Sequence, residues 1–164
     1  MTITVAHIWR HPIKSHGRET LTEVSMNAGQ TMPWDRTWAV AHEAAKTDGS
    51  EWAVCANFSR GAKSPQLMAI DAALDEATET VTLMHPDKEP LIFRPDQDVQ
   101  PFLEWSSDLT PSDRAQSSRI VRVANRGMTD TPFPSVSLMN LATNQVVEER
   151  LGQKLDIRRW RGNF

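Results

Sequence analysis

The sequence predicts a mainly β protein with a few helices, an α+β class in which short strands form a small barrel or a bent sheet. Two observations support this prediction. Short segments of alternating apolar and polar residues, separated by turn signals, follow one another closely over the first hundred residues, and only two stretches carry apolar residues at helical spacing. Hydrophobic residues make up 39% of the 164 residues and charged residues 24%, which is typical of a soluble globular chain.

The composition excludes several classes of function. The formal net charge of -3 disfavours non-specific nucleic-acid binding. No apolar run is long enough to span a bilayer, and residues 1–5 lack the features of a signal peptide. The single cysteine, Cys55, excludes an internal disulfide framework and suits a reducing compartment. We therefore expect a cytoplasmic protein without nucleic-acid or membrane partners.

The first half of the chain is predicted to contain most of the strands. Residues 2–10 alternate and should form a strand that ends before Pro12, since proline cannot donate to a ladder. Further strands or extended runs are predicted at residues 19–26, 37–42, 52–56, 66–74, 79–84 and 91–94.

Helices are predicted at two places in the second half. The first begins at Asp98, with Pro101 in its first turn. A polar linker at residues 112–118 and a strand at 120–123 follow it. The second helix is capped by Ser135 or Ser137, runs to about Leu151 and stops at Gly152. A last strand is predicted at residues 155–160. The apolar side of the second helix comprises Leu138, Ala142 and Val146.

Two basic residues follow or precede predicted strands and are candidates for binding an anion. Lys14 and Ser15 place an ammonium group beside a hydroxyl, whereas Arg36, next to Asp35, offers a planar fork. A solvated turn and a local Asp–Arg pair are the simpler interpretations. Arg60, Lys63 and Ser64, in the basic loop 57–64, are further candidates for contact with an anion, although a solvated loop is the simpler interpretation. The acidic stretch 71–113 lacks the spacing of a metal site.

The last residues carry a resemblance to a known family. The segment Arg159-Trp160-Arg161-Gly162-Asn163-Phe164 resembles the signature Arg-Phe-Arg-Pro-Asn-apolar of MOSC proteins, with Trp for Phe and Gly for Pro. His11-Pro12-Ile13-Lys14-Ser15 is similar to the Tyr-Pro-Ile-Lys-Ser turn of the domain that precedes MOSC in many members, and Asp35-Arg36 matches its Asp-Arg pair. The three motifs occur in the family order.

The resemblance implies a domain organisation. Residues 1–111 would form the MOSC N-terminal β-barrel-like domain, and residues 112–164 the start of a MOSC β-barrel domain. The family's metal-ligating cysteine lies downstream of the Arg-Asn motif, so the chain is expected to be an incomplete, inactive portion. No catalytic residue or metal ligand is assigned. Cys55 is interpreted as a buried structural thiol.

The resemblance also implies a cofactor. In such proteins the matching positions surround a molybdopterin and its phosphate, which would make the chain a molybdenum-cofactor-binding protein. The complete protein would be an oxidoreductase of N-hydroxylated compounds or a sulfur carrier, with a small-molecule substrate and an electron-donor protein as partners. The implied cofactor-binding residues are Lys14, Ser15, Arg36, Arg161 and Asn163, with Ser135 as a weaker candidate.

Two other interpretations remain open. The chain can be a non-enzymatic β-rich module that binds an anion or a partner. Alternatively, the late arginines can serve only a structural network with Glu148, Glu149 and Asp156. Convergence of the basic residues in one cleft favours the cofactor, whereas their dispersal over separate faces contradicts it.

Overall fold

The computed structural model describes residues 3–164 and contains eight strands and two α-helices within that range. This composition confirms the predicted fold class. Four short 3₁₀ helices occupy Cys55–Asn57, Pro65–Ala69, Ser107–Leu109 and Ile157–Trp160. The strands and α-helices are β1 (Ile8–Arg10), β2 (Ile13–Lys14), β3 (Glu19–Leu21), β4 (Trp38–His42), β5 (Asp71–Asp75), β6 (Thr80–His85), β7 (Lys88–Phe93), α1 (Val99–Ser106), β8 (Ser117–Arg122) and α2 (Leu141–Leu151).

The strands form three open sheets. β1 pairs with β3, and β5, β6 and β7 form an antiparallel meander. In the third sheet β4 lies between β2, which runs parallel to it, and β8, which runs antiparallel. The parallel pairing aligns Ile13 with Trp38 and Lys14 with Ala39. It therefore brings His11 and Pro12, which precede β2, next to the turn that precedes β4.

β4 is the central strand of this sheet, and both of its faces are buried. Side chains alternate between the two faces of a strand, and here Trp38 and Val40 pack into one apolar cluster while Ala39 and Ala41 pack into another. The first cluster also receives Phe102 of α1, which stacks on Phe93 of β7 with ring centroids 5.3 Å apart. Helix α1 thus lies where the sequence predicted it.

Some predicted strands are absent or shortened. Residues 3–7 form no strand, and Ile3 and Val5 are exposed; Thr2, the first residue of that prediction, lies outside the described residues. Residues 52–54 are irregular and lead into a 3₁₀ turn. The last predicted strand is wrong as well, because Ile157–Trp160 is a 3₁₀ helix whose first turn is capped by Asp156. A segment of alternating apolar and polar residues forms a strand only where a neighbouring strand can pair with its backbone.

Helix α2 begins later than predicted. Its cap is Asn140, whose side chain accepts a hydrogen bond from the Thr143 amide at 3.0 Å, so neither Ser135 nor Ser137 caps it. It ends at Gly152, which adopts the left-handed conformation expected there, with a φ of 66°. None of its residues is buried, and the predicted apolar side is largely exposed, with Leu138 82% and Val146 48% accessible.

The proposed division at residue 111 would divide one sheet between two units, since β8 follows that residue and pairs with β4. The division stays a proposal. Within residues 3–164, no helix has the length and apolar character needed to cross a bilayer.

Candidate functional site

A cleft of about 840 Å³ opens where the end of β2, the turn before β4 and the last residues of the chain meet. It brings together four of the residues assigned from the sequence: Lys14, Ser15, Arg36 and Arg161. Six basic side chains and two carboxylates line it, so its field is positive. The remaining charged residues of the lining are Arg60, Lys154, Arg159, Asp130 and Asp156.

Lys14 is buried at the end of β2 and is already paired. Its ammonium group donates to the Met128 carbonyl oxygen at 2.8 Å and to the carboxylate of Asp130. Ser15, which follows it, has a φ of 67°, a left-handed conformation that turns the chain out of the strand. Asp130, which the sequence analysis did not single out, therefore belongs to the site.

Arg36 is held by its backbone as well as by its side chain. Its amide donates to the His11 carbonyl oxygen at 2.6 Å, and its own carbonyl oxygen accepts from the Met128 amide at 2.7 Å. The guanidinium pairs with Asp35 and donates to the Arg161 carbonyl oxygen at 3.2 Å. The local Asp–Arg pair foreseen as the simpler interpretation therefore forms, but it is buried in the wall of the cleft.

Asp35 connects three parts of the chain, and its side chain is fully buried. One carboxylate oxygen accepts from the His11 amide at 2.8 Å and from the side-chain amide of Asn163 at 3.1 Å, while the other pairs with Arg36. A buried carboxylate that accepts several hydrogen bonds is held in one position. Asp35 thus orients Arg36 and links His11, just before β2, to Asn163 at the end of the chain.

Asn163 uses its side chain for structure. In addition to Asp35, its Nδ2 donates to the Trp9 carbonyl oxygen at 3.1 Å, and its Oδ1 accepts from the Ser137 amide at 3.0 Å. The residue is buried and does not line the cleft. It lies two residues beyond Arg161, which it therefore helps to position.

The guanidinium of Arg161 is only partly satisfied by the protein. Its Nη2 makes one long hydrogen bond, 3.4 Å, to the Gly17 carbonyl oxygen, and its Nη1 is buried with no acceptor among residues 3–164. Burial, and next the charge of Arg36, lowers the pKa of Arg161 to about 10. The group is still cationic at neutral pH. A buried cation without a carboxylate favours an anionic ligand.

The carboxylates of the proposed structural network do not pair with Arg161. Asp156 pairs with Arg158, and Glu148 pairs with Lys154 at 3.2 Å. Within the described part of the chain, no three His, Cys, Asp or Glu side chains are grouped as metal ligands would be.

Gly162 stands where the family signature has proline, and the packing gives the reason. A Cβ at this position would overlap the side chain of Met139. Met139 in turn bonds through its amide to the Phe164 carbonyl oxygen at 2.7 Å. The glycine therefore allows the last residues to lie against the segment before α2.

Ser135 and Cys55 differ from their assignments in location. The hydroxyl oxygen of Ser135 lies 2.8 Å from that of Thr131, and Ser135 does not line the cleft. Cys55, interpreted as a buried structural thiol, instead lines it and donates to Asp130 at 3.2 Å. Burial, then the bond to Asp130, raises the pKa of the Cys55 thiol. No sequence signal connects Cys55 with Asp130, because the two residues are 75 positions apart.

Two buried, neutral histidines, His11 and His16, lie close to the arginines of the cleft. The ring nitrogens of His11 lie 3.3 Å and 3.4 Å from the carbonyl oxygens of Gly17 and Gly162, and burial followed by the charges of Arg161 and Arg36 holds its pKa well below the ordinary value. His16 donates from Nδ1 to the Lys14 carbonyl oxygen at 3.0 Å. Burial lowers the pKa of His16 to about 4.

We expect the stability of the protein to fall on mild acidification. The pKa of His16 is about 4 when folded and about 6.5 when unfolded, so the unfolded chain takes up the proton first as the pH falls. The stabilisation is present above the unfolded pKa and is lost toward the folded one, by roughly 2 kcal/mol between pH 7 and pH 5. Urea unfolding at both pH values measures this loss. His16→Leu should reduce the difference, and an unchanged difference would contradict the assignment.

Comparison with known families gives one match. The family described as the MOSC N-terminal beta barrel domain matches residues 2–119. No curated protein and no solved structure matches the chain significantly.

Proposed function

Because the chain belongs to the family of the MOSC N-terminal beta barrel domain, we propose that it binds the molybdenum cofactor in the cleft, with the pterin phosphate at Arg161. MOSC proteins are generally associated with this cofactor. The observation that carries the proposal is the buried, unpartnered Nη1 of Arg161 on the wall of a basic cleft. A phosphate group would supply the acceptor that this nitrogen lacks.

The other basic residues of the wall have more restricted roles in this proposal. Lys14 and Arg36 are neutralised by Asp130 and Asp35, so they present oriented donors with little excess charge. Ser15 adds a hydroxyl that can donate or accept. Asn163 acts by holding the segment of Arg161, and Ser135 is left out because it does not line the cleft.

Backbone geometry also supports a binding role for this wall. Ser15, Arg36 and Arg161 all have φ values between 53° and 67°, although none is glycine. Such conformations cost of order 1–3 kcal/mol each and tend to cluster at functional sites. Here they turn three cleft-lining residues toward the site at the ends of β2, of the turn before β4 and of the last 3₁₀ helix.

We further propose the class of reaction that the complete protein performs. When bound, the molybdenum centre would supply the redox chemistry, either reduction of N-hydroxylated compounds or sulfur transfer. The residues of this chain would bind the phosphate, orient the pterin and fix the charge around it. A small-molecule substrate and an electron-donor protein would be the partners. The single cysteine supports placing the protein in the cytoplasm.

The test is the cofactor content of the purified chain. Expressed in cells that make molybdenum cofactor, the chain should carry pterin, measured by fluorescence after oxidation, and molybdenum, measured by mass spectrometry. Arg161→Gln should reduce both at least about tenfold, since it removes a charge-assisted hydrogen bond. Arg150→Gln, on the exposed face of α2, is the matched control and should retain both.

Two outcomes would contradict the proposal: a chain without pterin under these conditions, or equal pterin in the Arg161→Gln variant. If the chain instead binds inorganic phosphate at Arg161 and never pterin, the non-enzymatic anion-binding module becomes the better assignment.

A further inference from the structure

A carboxylate in the wall of the cleft, that of Asp130, keeps acceptor capacity that the phosphate site does not use. Its side chain is 72% accessible and lines the same cleft as Arg161. The hydrogen bonds from Lys14 and Cys55 both end at Oδ1, and no donor among residues 3–164 bonds to Oδ2. A carboxylate has about four acceptor positions. Those of Oδ2 are therefore open to a ligand.

The second carboxylate of the cleft, that of Asp156, is already occupied. The Nε of Arg158 donates to both of its oxygens, each at 2.9 Å, and the Arg158 amide donates to Oδ1 at 2.9 Å. Both carboxylates line the cleft, but only Asp130 has an oxygen without a donor from the described part of the chain.

The backbone that carries Asp130 is fixed from two sides. The Met128 amide donates to the Arg36 carbonyl oxygen at 2.7 Å, and the Thr129 carbonyl oxygen accepts from the indole nitrogen of Trp52 at 2.8 Å. Met128 and Thr129 are both buried. A carboxylate on a segment that is already ordered loses little conformational freedom when it binds a ligand.

Asp130 and Arg161 lie near enough to contact one small ligand. Lys14 bonds to Asp130 and to the Met128 carbonyl oxygen, and the Met128 amide bonds to Arg36. The guanidinium of Arg36 in turn donates to the Arg161 carbonyl oxygen at 3.2 Å. Burial and the charge of Arg36 lower the pKa of Arg161, whereas the charge of Asp130 acts in the opposite direction. Charges more than about 10 Å apart are largely screened.

The charge of Asp130 restricts what can lie beside it. Burial alone raises the pKa of Asp130, but the hydrogen bond and the charge of Lys14 outweigh burial and hold the pKa below its ordinary value. The group is therefore ionised at neutral pH. An ionised carboxylate only accepts hydrogen bonds, and it repels other anions. The part of a ligand that reaches Asp130 must consequently carry N–H donors and no negative charge.

We propose that Asp130 determines the specificity of the cleft, because its Oδ2 accepts hydrogen bonds from the amino edge of a heterocycle whose single phosphate binds at Arg161. The inference rests on the proposed function and deepens it, since it assigns the residue that recognises the ring. The chemical class is a fused pyrimidine with an exocyclic amino group beside a ring N–H, an edge that a pterin has. The competing role for Asp130 is to neutralise Lys14 and nothing more.

The experiment compares two probes that differ only in the exocyclic amino group: neopterin monophosphate, and its analogue with hydrogen in place of that group. In calorimetry with the unaltered chain, neopterin monophosphate should bind about tenfold more tightly, as expected for a hydrogen bond to a charged group. Asp130→Asn keeps the shape but removes the charge, and it should reduce this advantage to less than about threefold. Asp156→Asn changes the occupied carboxylate of the same cleft and should retain the full advantage.

The proposal is overturned if the unaltered chain binds the two probes equally or binds neither. It is also overturned if Asp130→Asn retains the full advantage, which would leave Asp130 only its pairing with Lys14. Inorganic phosphate separates these failures from that of the proposed function. Phosphate binding that Arg161→Gln abolishes supports the phosphate site even when the amino group makes no difference. If inorganic phosphate does not bind the unaltered chain either, the phosphate site falls together with the role of Asp130.

Discussion

Replacing Asp35 by alanine should lower the free energy of unfolding by about 3–5 kcal/mol, as is typical when one member of a buried ion pair is removed. The carboxylate is buried, pairs with Arg36 and accepts hydrogen bonds from the His11 amide and the Asn163 side chain. Its loss leaves a buried cation and two buried donors without their acceptor. Urea unfolding of the variant and the unaltered chain measures the difference.

An exposed ion pair provides the control for this prediction. Asp108 pairs with Lys88 at 2.6 Å, but its side chain is 67% accessible. Asp108→Ala should therefore cost at most about 1 kcal/mol. Asp35→Asn should fall between the two, because it retains the shape and one acceptor oxygen. A cost for Asp35→Ala as small as that for Asp108→Ala would show that Asp35 does not connect these segments.

Replacing Gly127 by alanine should destabilise the protein by about 3 kcal/mol, the upper part of the range for overpacking. A Cβ at this position would overlap the backbone oxygen of Asp35, which cannot rotate away as a side chain could. The next residue, Met128, donates to the Arg36 carbonyl oxygen at 2.7 Å, and its own carbonyl oxygen accepts from Lys14 at 2.8 Å. The substitution should therefore displace two basic residues of the cleft and weaken phosphate binding as well.

Gly29 is the matched control for Gly127. It has a φ of 76° but no atom within 4 Å of an added Cβ, so Gly29→Ala should cost only about 1 kcal/mol through its backbone conformation. Calorimetry with inorganic phosphate should show unchanged affinity for Gly29→Ala and reduced affinity for Gly127→Ala. Equal affinities in the two variants would contradict the placement of Gly127 behind the cleft.

Some parts of the candidate site could be assigned from local sequence. Lys14, Arg36 and Arg161 each lie in a short motif, and the structure brings all three to one cleft. Asp130 could not be found in this way, because its partner Lys14 is 116 positions away and nothing in its own neighbourhood marks it. Arg60 is a candidate anion contact already in the sequence, but only the tertiary structure shows that it lines the same cleft as Arg161.

The strands show the same division between local and distant causes. The hairpin of β6 and β7 was predicted closely, since its two strands are adjacent in sequence and their turn residues identify it. The sequence also predicts strands at residues 3–7, 52–56 and 155–160, where the structure contains none. Those segments have no partner strand beside them, and only the fold of the rest of the chain decides which segments do.

The sequence by itself determined the mainly β class, the family and the basic residues that make an anion site plausible, because each of these depends on residue type and short spacing. The tertiary structure alone decided which charges are free. Lys14 and Arg36 are neutralised by carboxylates, whereas the Nη1 of Arg161 is buried without an acceptor. The physical reason is that the strength of a charge in a protein depends on its burial and on its neighbours, and both are set by contacts between residues far apart in the chain.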